Sequence, residues 1–116
     1  MSEDYADLYG FAPFVRVGDL ILFSGVVAGE GDDGSAETHY RLAFEALDEV
    51  LKQAGRTRAD LVELTTFHTG FPEGMMEFMT AKKVYLVDVQ TTWTAVGVAA
   101  LGTPETRVEI KAIARA

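Results

Sequence analysis

A chain of 116 residues, 48% of them hydrophobic, has the size of one domain spanning residues 1–116 and enough apolar side chains to bury a core. Such a composition excludes intrinsic disorder, and the absence of cysteine excludes a disulfide framework, a thiolate nucleophile and a thiolate metal site. A formal net charge of −8 repels phosphate backbones and anionic lipid, so neither nucleic acid nor membrane is an expected partner.

The start, MSEDYADLYG, is acidic and lacks a basic segment followed by an apolar one, unlike a secretory signal. The longest mostly apolar stretch, residues 94–101, is too short to cross a bilayer. A cytoplasmic protein is therefore expected. Acidic residues gather at Glu3, Asp4 and Asp7, then at Glu30, Asp32, Asp33 and Glu37, a pattern that serves solubility.

Residues 14–17 and 20–23 are rich in strand formers and separated by Gly18-Asp19, which predicts a tight hairpin. A polar, glycine-rich loop follows at 29–34. Over residues 37–54 the period changes: Tyr40, Phe44, Leu47, Leu51 and Ala54 recur at helical spacing beside Val50. Arg41, Glu45, Asp48, Glu49 and Lys52 fall opposite. Gly55 suits the helix C-terminus, and Thr57-Arg-Ala-Asp60 has the form of a capping box opening one short turn. Residues 61–69 read as a strand with Val62, Leu64 and Thr66 alternating against Glu63, Thr65 and Phe67. After the break at Pro72-Glu-Gly74, residues 75–87 read as a second helix, with Met75, Met79 and Leu86 near one face beside Phe78 and Tyr85, and with Met75, Met76 and Met79 as core filler. Residues 91–101 and 107–114 read as the last two strands, joined by a turn at 102–105. The order β-β-α-β-α-β-β predicts an α+β fold: two crossover units on one mixed sheet, with both helices on the same face.

Alternation in the last strand sends Val108, Ile110, Ala112 and Ala114 toward the helices and Arg107, Glu109, Lys111 and Ile113 away from them. Alternation in the strand before it is read as placing Trp93, Ala95, Gly97, Ala99 and Leu101 on that same helix-free face. An apolar patch there is unfavourable in water by about 25 cal/mol per Å², so another copy of the chain is the expected cover.

The stretches VRVGDLILFSGVV, RLAFEALDEVLKQAG, ELTTFHTG and VEIKAIARA, in this order and spacing, resemble the Rid (YjgF-type) family across almost the whole chain. WTAVGVAAL together with FHTG and VEIK is especially similar to the YjgH-like subgroup. The resemblance implies a chorismate-mutase-like subunit, a homotrimer whose sheets form a central barrel, and three clefts between neighbouring subunits. It also implies hydrolysis of small enamines or imines to ammonia and a ketone, with no metal and no organic cofactor. The family's water-orienting glutamate matches Glu109, its pocket serine matches Ser24, and its aromatic, usually tyrosine, falls on Phe11. Its carboxylate-gripping arginine is absent: Trp93 stands there, with Ala95 close by. A charge-assisted bond contributes ~1.5–3 kcal/mol, so the loss weakens a carboxylate-bearing substrate by roughly 10- to 100-fold. The departure points to altered specificity or to lost catalysis.

Each residue has a plainer reading. Glu109 either orients water or pairs with Arg107 or Lys111. Trp93 either stacks on a flat ligand or packs an interface. Ser24 has no evident base, so it is a pocket wall or a structural hydroxyl rather than a nucleophile. His68 reads as a packed histidine bonded to a backbone carbonyl, and His39 and His68 alone make no metal signature. Arg107 shares a face with Glu109 and is a candidate replacement for the missing arginine. Two functions follow: a cofactor-free imine or enamine deaminase with altered specificity, or a non-catalytic trimer that binds a small molecule or a partner.

Overall fold

The computed structural model describes residues 7–116; Glu3 and Asp4 of the acidic N-terminal cluster lie outside them. The hairpin forms as the sequence predicts. Strand β1 (Phe14–Val17) pairs with β2 (Leu20–Phe23) across Gly18, whose φ of 60° suits a residue without Cβ. Helix α1 (Ala36–Gln53) is capped at its start by Ser35, whose Oγ accepts from the Thr38 N–H at 3.2 Å. At its end Gly55 adopts φ 74°. The Arg56 N–H then reaches the Leu51 carbonyl at 2.8 Å and the Gly55 N–H reaches Lys52 at 2.9 Å, closing the last turn. The stripe Tyr40, Phe44, Leu47, Leu51 is buried, each such side chain contributing about 1.5–3 kcal/mol.

A short 3₁₀ turn (Arg58–Asp60) follows, with the Asp60 carboxylate accepting from the Thr57 N–H at 3.0 Å. Strand β3 (Leu61–His68) carries a bulge between Leu61 and Glu63, so Leu61 and Leu64, three apart, both enter the core. The expected alternation of Leu64 and Thr66 against Thr65 and Phe67 holds beyond it, and Val62 does not join the buried set. Helix α2 (Met75–Tyr85) buries Phe78 and Tyr85, with the half-buried Lys82 on the same stripe. The methionines do not form the expected filler: Met75 packs at the core's edge, whereas Met76 is 72% and Met79 38% exposed. The aromatic stripe Phe78–Tyr85 faces Tyr40 and Phe44, which turns the methionine side of the helix outward.

Strands β4 (Thr92–Gly97) and β5 (Val108–Arg115) complete a five-stranded sheet ordered β1-β2-β5-β3-β4. Both β2 and β3 run antiparallel to β5, and β4 runs parallel to β3. The helices are thus two crossovers lying on one face, as in the expected α+β fold.

Register settles the faces. Val108, Ile110, Ala112 and Ala114 of β5 are buried under the helices, as expected. In β4 the expectation is reversed. Trp93 is opposite Leu64 and Ala95 opposite Thr66, two buried residues of the helix face, so Trp93 and Ala95 belong to that face too. Thr94 and Val96, opposite Thr65 and Phe67, look the other way. The alternation of small and apolar residues in β4 is compatible with either phase, and the parallel register with β3 decides between them. On the helix-free side Val15 and Leu22, Val17 and Leu20, and Leu22 and Ile113 are cross-strand partners. Val15, Val17, Leu20 and Leu22 are all exposed.

Candidate active site

Where β2 ends, the chain passes through Ser24 and Gly25 and is then stitched to β5 by a reciprocal pair of backbone bonds between Val26 and Ile110, each 2.9 Å. That bridge lays Gly25 against the neighbouring Glu109. A Cβ on Gly25 would collide with the Glu109 carboxylate and stand 2.8 Å from its Cγ and Cδ. The absent side chain is what lets the carboxyl group lie over the backbone. Ser24 ties down the segment before β1: its Oγ donates to the Ala12 carbonyl at 2.6 Å and its N–H to the Pro13 carbonyl at 3.0 Å. Phe11, 43% exposed, adjoins that tether. One corner of the molecule therefore gathers Phe11, Ser24, Gly25 and Glu109. The Ser24 hydroxyl is engaged as a donor to backbone, the structural use weighed above.

The half-buried Glu109 forms no ion pair among the described residues. The cations beside it point elsewhere. Lys111 reaches the Phe23 carbonyl at 3.5 Å, and the Arg107 guanidinium donates to the Gly34 carbonyl at 2.8 Å. Arg107 is bound into a second assembly that ties the glycine-rich loop to β5. Its N–H donates to His39 Nε2 at 3.0 Å, so the His39 proton sits on Nδ1, 2.8 Å from Asp32 Oδ2. That bond, with another from the Gly34 N–H, holds the Asp32 carboxyl below the usual carboxylate range.

Trp93 and Ala95 stand on the opposite side of the sheet from Glu109. Trp93 Nε1 donates to Thr66 Oγ1 at 2.8 Å, and the same oxygen lies 2.7 Å from His68 Nε2. His68 is thus a packed histidine whose partner is a threonine hydroxyl, not the expected backbone carbonyl; burial pushes its pKa down. Phe78 packs edge-on to His68 at 4.6 Å and tilted to Trp93 at 6.1 Å. The Lys82 ammonium lies 4.2 Å from the centre of the Trp93 ring. Further along the same side, a Cβ on Gly97 would stand 2.9 Å from that of Phe71.

Sequence reasoning passed over Gly25, Thr66 and Lys82. Thr66 and Lys82 did carry a signal: each shares a buried stripe, with Leu64 and with Phe78 and Tyr85 respectively. Nothing local marks Gly25, whose role depends on a bridge between distant segments. Among the described residues no group of three His, Asp or Glu side chains could hold a metal ion, and no helix is long and apolar enough to cross a membrane.

Comparison with known proteins places this geometry in a family. The model of the family described as "Endoribonuclease L-PSP" matches residues 3–116. The RutC family protein YjgH of Escherichia coli is 39% identical over 117 residues, covering 96% of this chain and 86% of that protein. A solved structure of protein YjgH superposes with a TM-score of 0.84 at 32% identity, covering 95% of this chain and 86% of the other. Rv2704 of Mycobacterium tuberculosis, solved as a member of the YjgF/YER057c/UK114 family, gives a TM-score of 0.86 at 26% identity over 97% and 92% of the two chains. E. coli TdcF, solved with bound serine, shares the fold with a TM-score of 0.82 at 21% identity over 91% and 87%. The chain belongs to the YjgF/Rid family.

Proposed function

We propose that the protein is a homotrimeric, cofactor-free deaminase that hydrolyses a small imine or enamine in clefts between its subunits. The observation that carries this reading is Glu109: half-buried, without a paired cation among the described residues, and laid against the bare backbone of Gly25. A carboxylate in that state can accept a proton from water as the water attacks the imine carbon. The C–O bond forms, the C=N electron pair passes to nitrogen, and the resulting carbinolamine loses ammonia to leave the ketone. Phe11 borders the Glu109 corner, and Ser24 sets the position of the segment that carries it.

The cleft must be shared. Glu109 looks away from the helices while Trp93 and Ala95 look toward them, so the two groups meet one ligand only when each comes from a different subunit. The exposed apolar residues Val15, Val17, Leu20 and Leu22 supply a surface for such packing. Trp93 then forms a wall rather than an open stacking platform, because Lys82 covers one face of its ring and Thr66 takes its N–H. Arg107, two residues from Glu109, is held by the Gly34 carbonyl and would have to leave it to meet a ligand. The family's description mentions RNA cleavage, but a net charge of −8 opposes binding to a polyanion.

The test is ammonia release from imines generated in place by an amino-acid or amine oxidase. Release that exceeds the uncatalysed rate and collapses in Glu109→Gln supports the reading. Equal release with and without the protein removes catalysis and leaves a trimer that only binds its ligand.

A further inference from the structure

We infer that the outward face of α2 is a docking groove for the acidic N-terminal segment, residues 1–9, of a second copy of this chain. The inference concerns how copies engage and does not depend on the chemistry proposed above.

The two helices share one layer yet differ on their outer sides. That of α1 exposes Arg41, Glu45, Glu49 and Lys52, the charged cover that a water-facing side calls for. On α2, opposite the buried Phe78 and Tyr85, stand Met76, Thr80, Lys83 and Val84, continued by Val87 in the turn that follows. Steps of three and four residues put them on one face. Met76 and Val84 are each 72% exposed and Val87 64%. The Thr80 hydroxyl donates back to the Met76 carbonyl at 3.0 Å, so even the threonine of the stripe spends its polar group within the helix. Thr80, Lys83, Val84 and Val87 line an open groove of about 510 Å³. Valine is a poorer helix former than the charged residues that cover α1, and apolar surface left in water costs about 25 cal/mol per Å². A face built this way is suited to being covered.

The start of the chain supplies a complement. Residues 1–12 hold Glu3, Asp4 and Asp7 and no lysine or arginine. At helical spacing Tyr5, Leu8 and Tyr9 fall on one side and the three acids on the other. Residues 7–9 are helical, and Leu8 is 72% exposed. Such a segment fits an apolar groove lined by Lys83, with Lys82 next to it, the chain's one pair of consecutive cations. Elsewhere a net charge of −8 makes the surface a poor host for an acidic segment. The lengths agree: nine residues wound as a helix extend about 14 Å, against about 17 Å for the 11 residues of α2. A second copy must provide the segment. It leads into β1, one edge strand, whereas α2 packs on Trp93 of β4, the other edge strand. Within one chain Leu8 and Val84 both stay exposed. Complementary surfaces at opposite edges of a subunit are what a head-to-tail association joins. Docking also steadies Phe11 and the Ala12 carbonyl that takes the Ser24 hydroxyl, at the Glu109 corner.

The chain has no cysteine, so introduced pairs report the contact cleanly. Full-length chains carrying Leu8→Cys and tagged chains carrying Val84→Cys are refolded together and oxidised, the tag giving the mixed pair its own mass on a non-reducing gel. The mixed pair is expected to form faster than when Arg41→Cys, on the outer side of α1, replaces Val84→Cys. It should also form faster than Val84→Cys chains link to one another. Lys83→Glu should slow the mixed link by up to ~5-fold, the range of one exposed ion pair, and Asp7→Lys in the first chain should restore it. Tm measured on each variant confirms folding. A rate no greater than with Arg41→Cys overturns the inference, as does an undiminished rate in Lys83→Glu. Faster linkage between two Val84→Cys chains gives the groove to a second α2 and overturns it too. So does a double variant, Leu8→Cys with Val84→Cys, that links only within one chain.

Discussion

Gly25 and Glu109 occupy one space: the glutamate side chain lies where the glycine has no side chain, with Cγ and Cδ both 2.8 Å from the point a Cβ would take. Neither residue is near the other in sequence, and the backbone bridge between Val26 and Ile110 brings them together.

Gly25→Ala should leave the fold intact, because the atoms it meets are the movable end of a glutamate rather than backbone. It should displace the carboxylate all the same. Ammonia release is expected to fall at least ~10-fold for the loss of one well-placed general base, with Tm within a few degrees of the wild type. Unchanged release would show that the contact does not position Glu109.

Thr66→Val keeps the volume of a fully buried side chain but removes the oxygen that serves both Trp93 Nε1 and His68 Nε2. Each buried polar group left unpaired costs about 1–3 kcal/mol. Urea unfolding should record a loss of about 2–4 kcal/mol, whereas Thr66→Ser, which retains the hydroxyl, should lose less.

Burial holds the His68 pKa below its ordinary value of 6.5. The folded protein therefore resists a proton that the unfolded chain accepts. Stability from this residue is complete above about pH 6.5 and drains as pH falls toward the folded pKa. Unfolding free energies from pH 7.5 to 5, taken at one fixed protein concentration, should decline, and the decline should be shallower in His68→Gln. An identical slope in the variant would place the acid sensitivity elsewhere.

The helix-free patch predicts an association defect. Leu22 lies between Val15 and Ile113 in the sheet and is 37% exposed in the single chain. Leu22→Lys puts a charge into that patch without touching the helix-side core. Light scattering on eluting protein should give a trimer for the wild type and lighter species for the variant, while Arg41→Glu on the exposed face of α1 leaves the mass unchanged.

Much of this was legible before any coordinates. The hairpin at Gly18, the stripe on α1, the cap at Gly55 and the inward set of β5 each follow from local chemistry or an unambiguous period, and each stands in the structure. The second helix was readable in extent but not in orientation. Its methionines match a buried stripe as well as Phe78 and Tyr85 do, and only the aromatic contacts with Phe44 choose between them. The phase of β4 was unreadable for the same reason: small and apolar residues occupy both of its faces, and the decision belongs to its register on β3. At the candidate site the sequence names Glu109, Ser24 and Trp93, but whether they share a face is a tertiary fact. Trp93 and Glu109 do not. That separation means that the two can meet one ligand in the proposed intersubunit cleft only when each comes from a different subunit.

The most direct test is therefore subunit mixing. Glu109→Gln and Trp93→Ala are each expected to be impaired alone. Unfolded together and refolded at equal proportions, three-quarters of the trimers are mixed, and a head-to-tail ring gives each of those one cleft with both native residues. Ammonia release should recover to roughly a quarter of the wild-type rate. Release no greater than the average of the two parent variants, in a sample shown by mass to contain mixed trimers, would contradict a site shared across the subunit boundary.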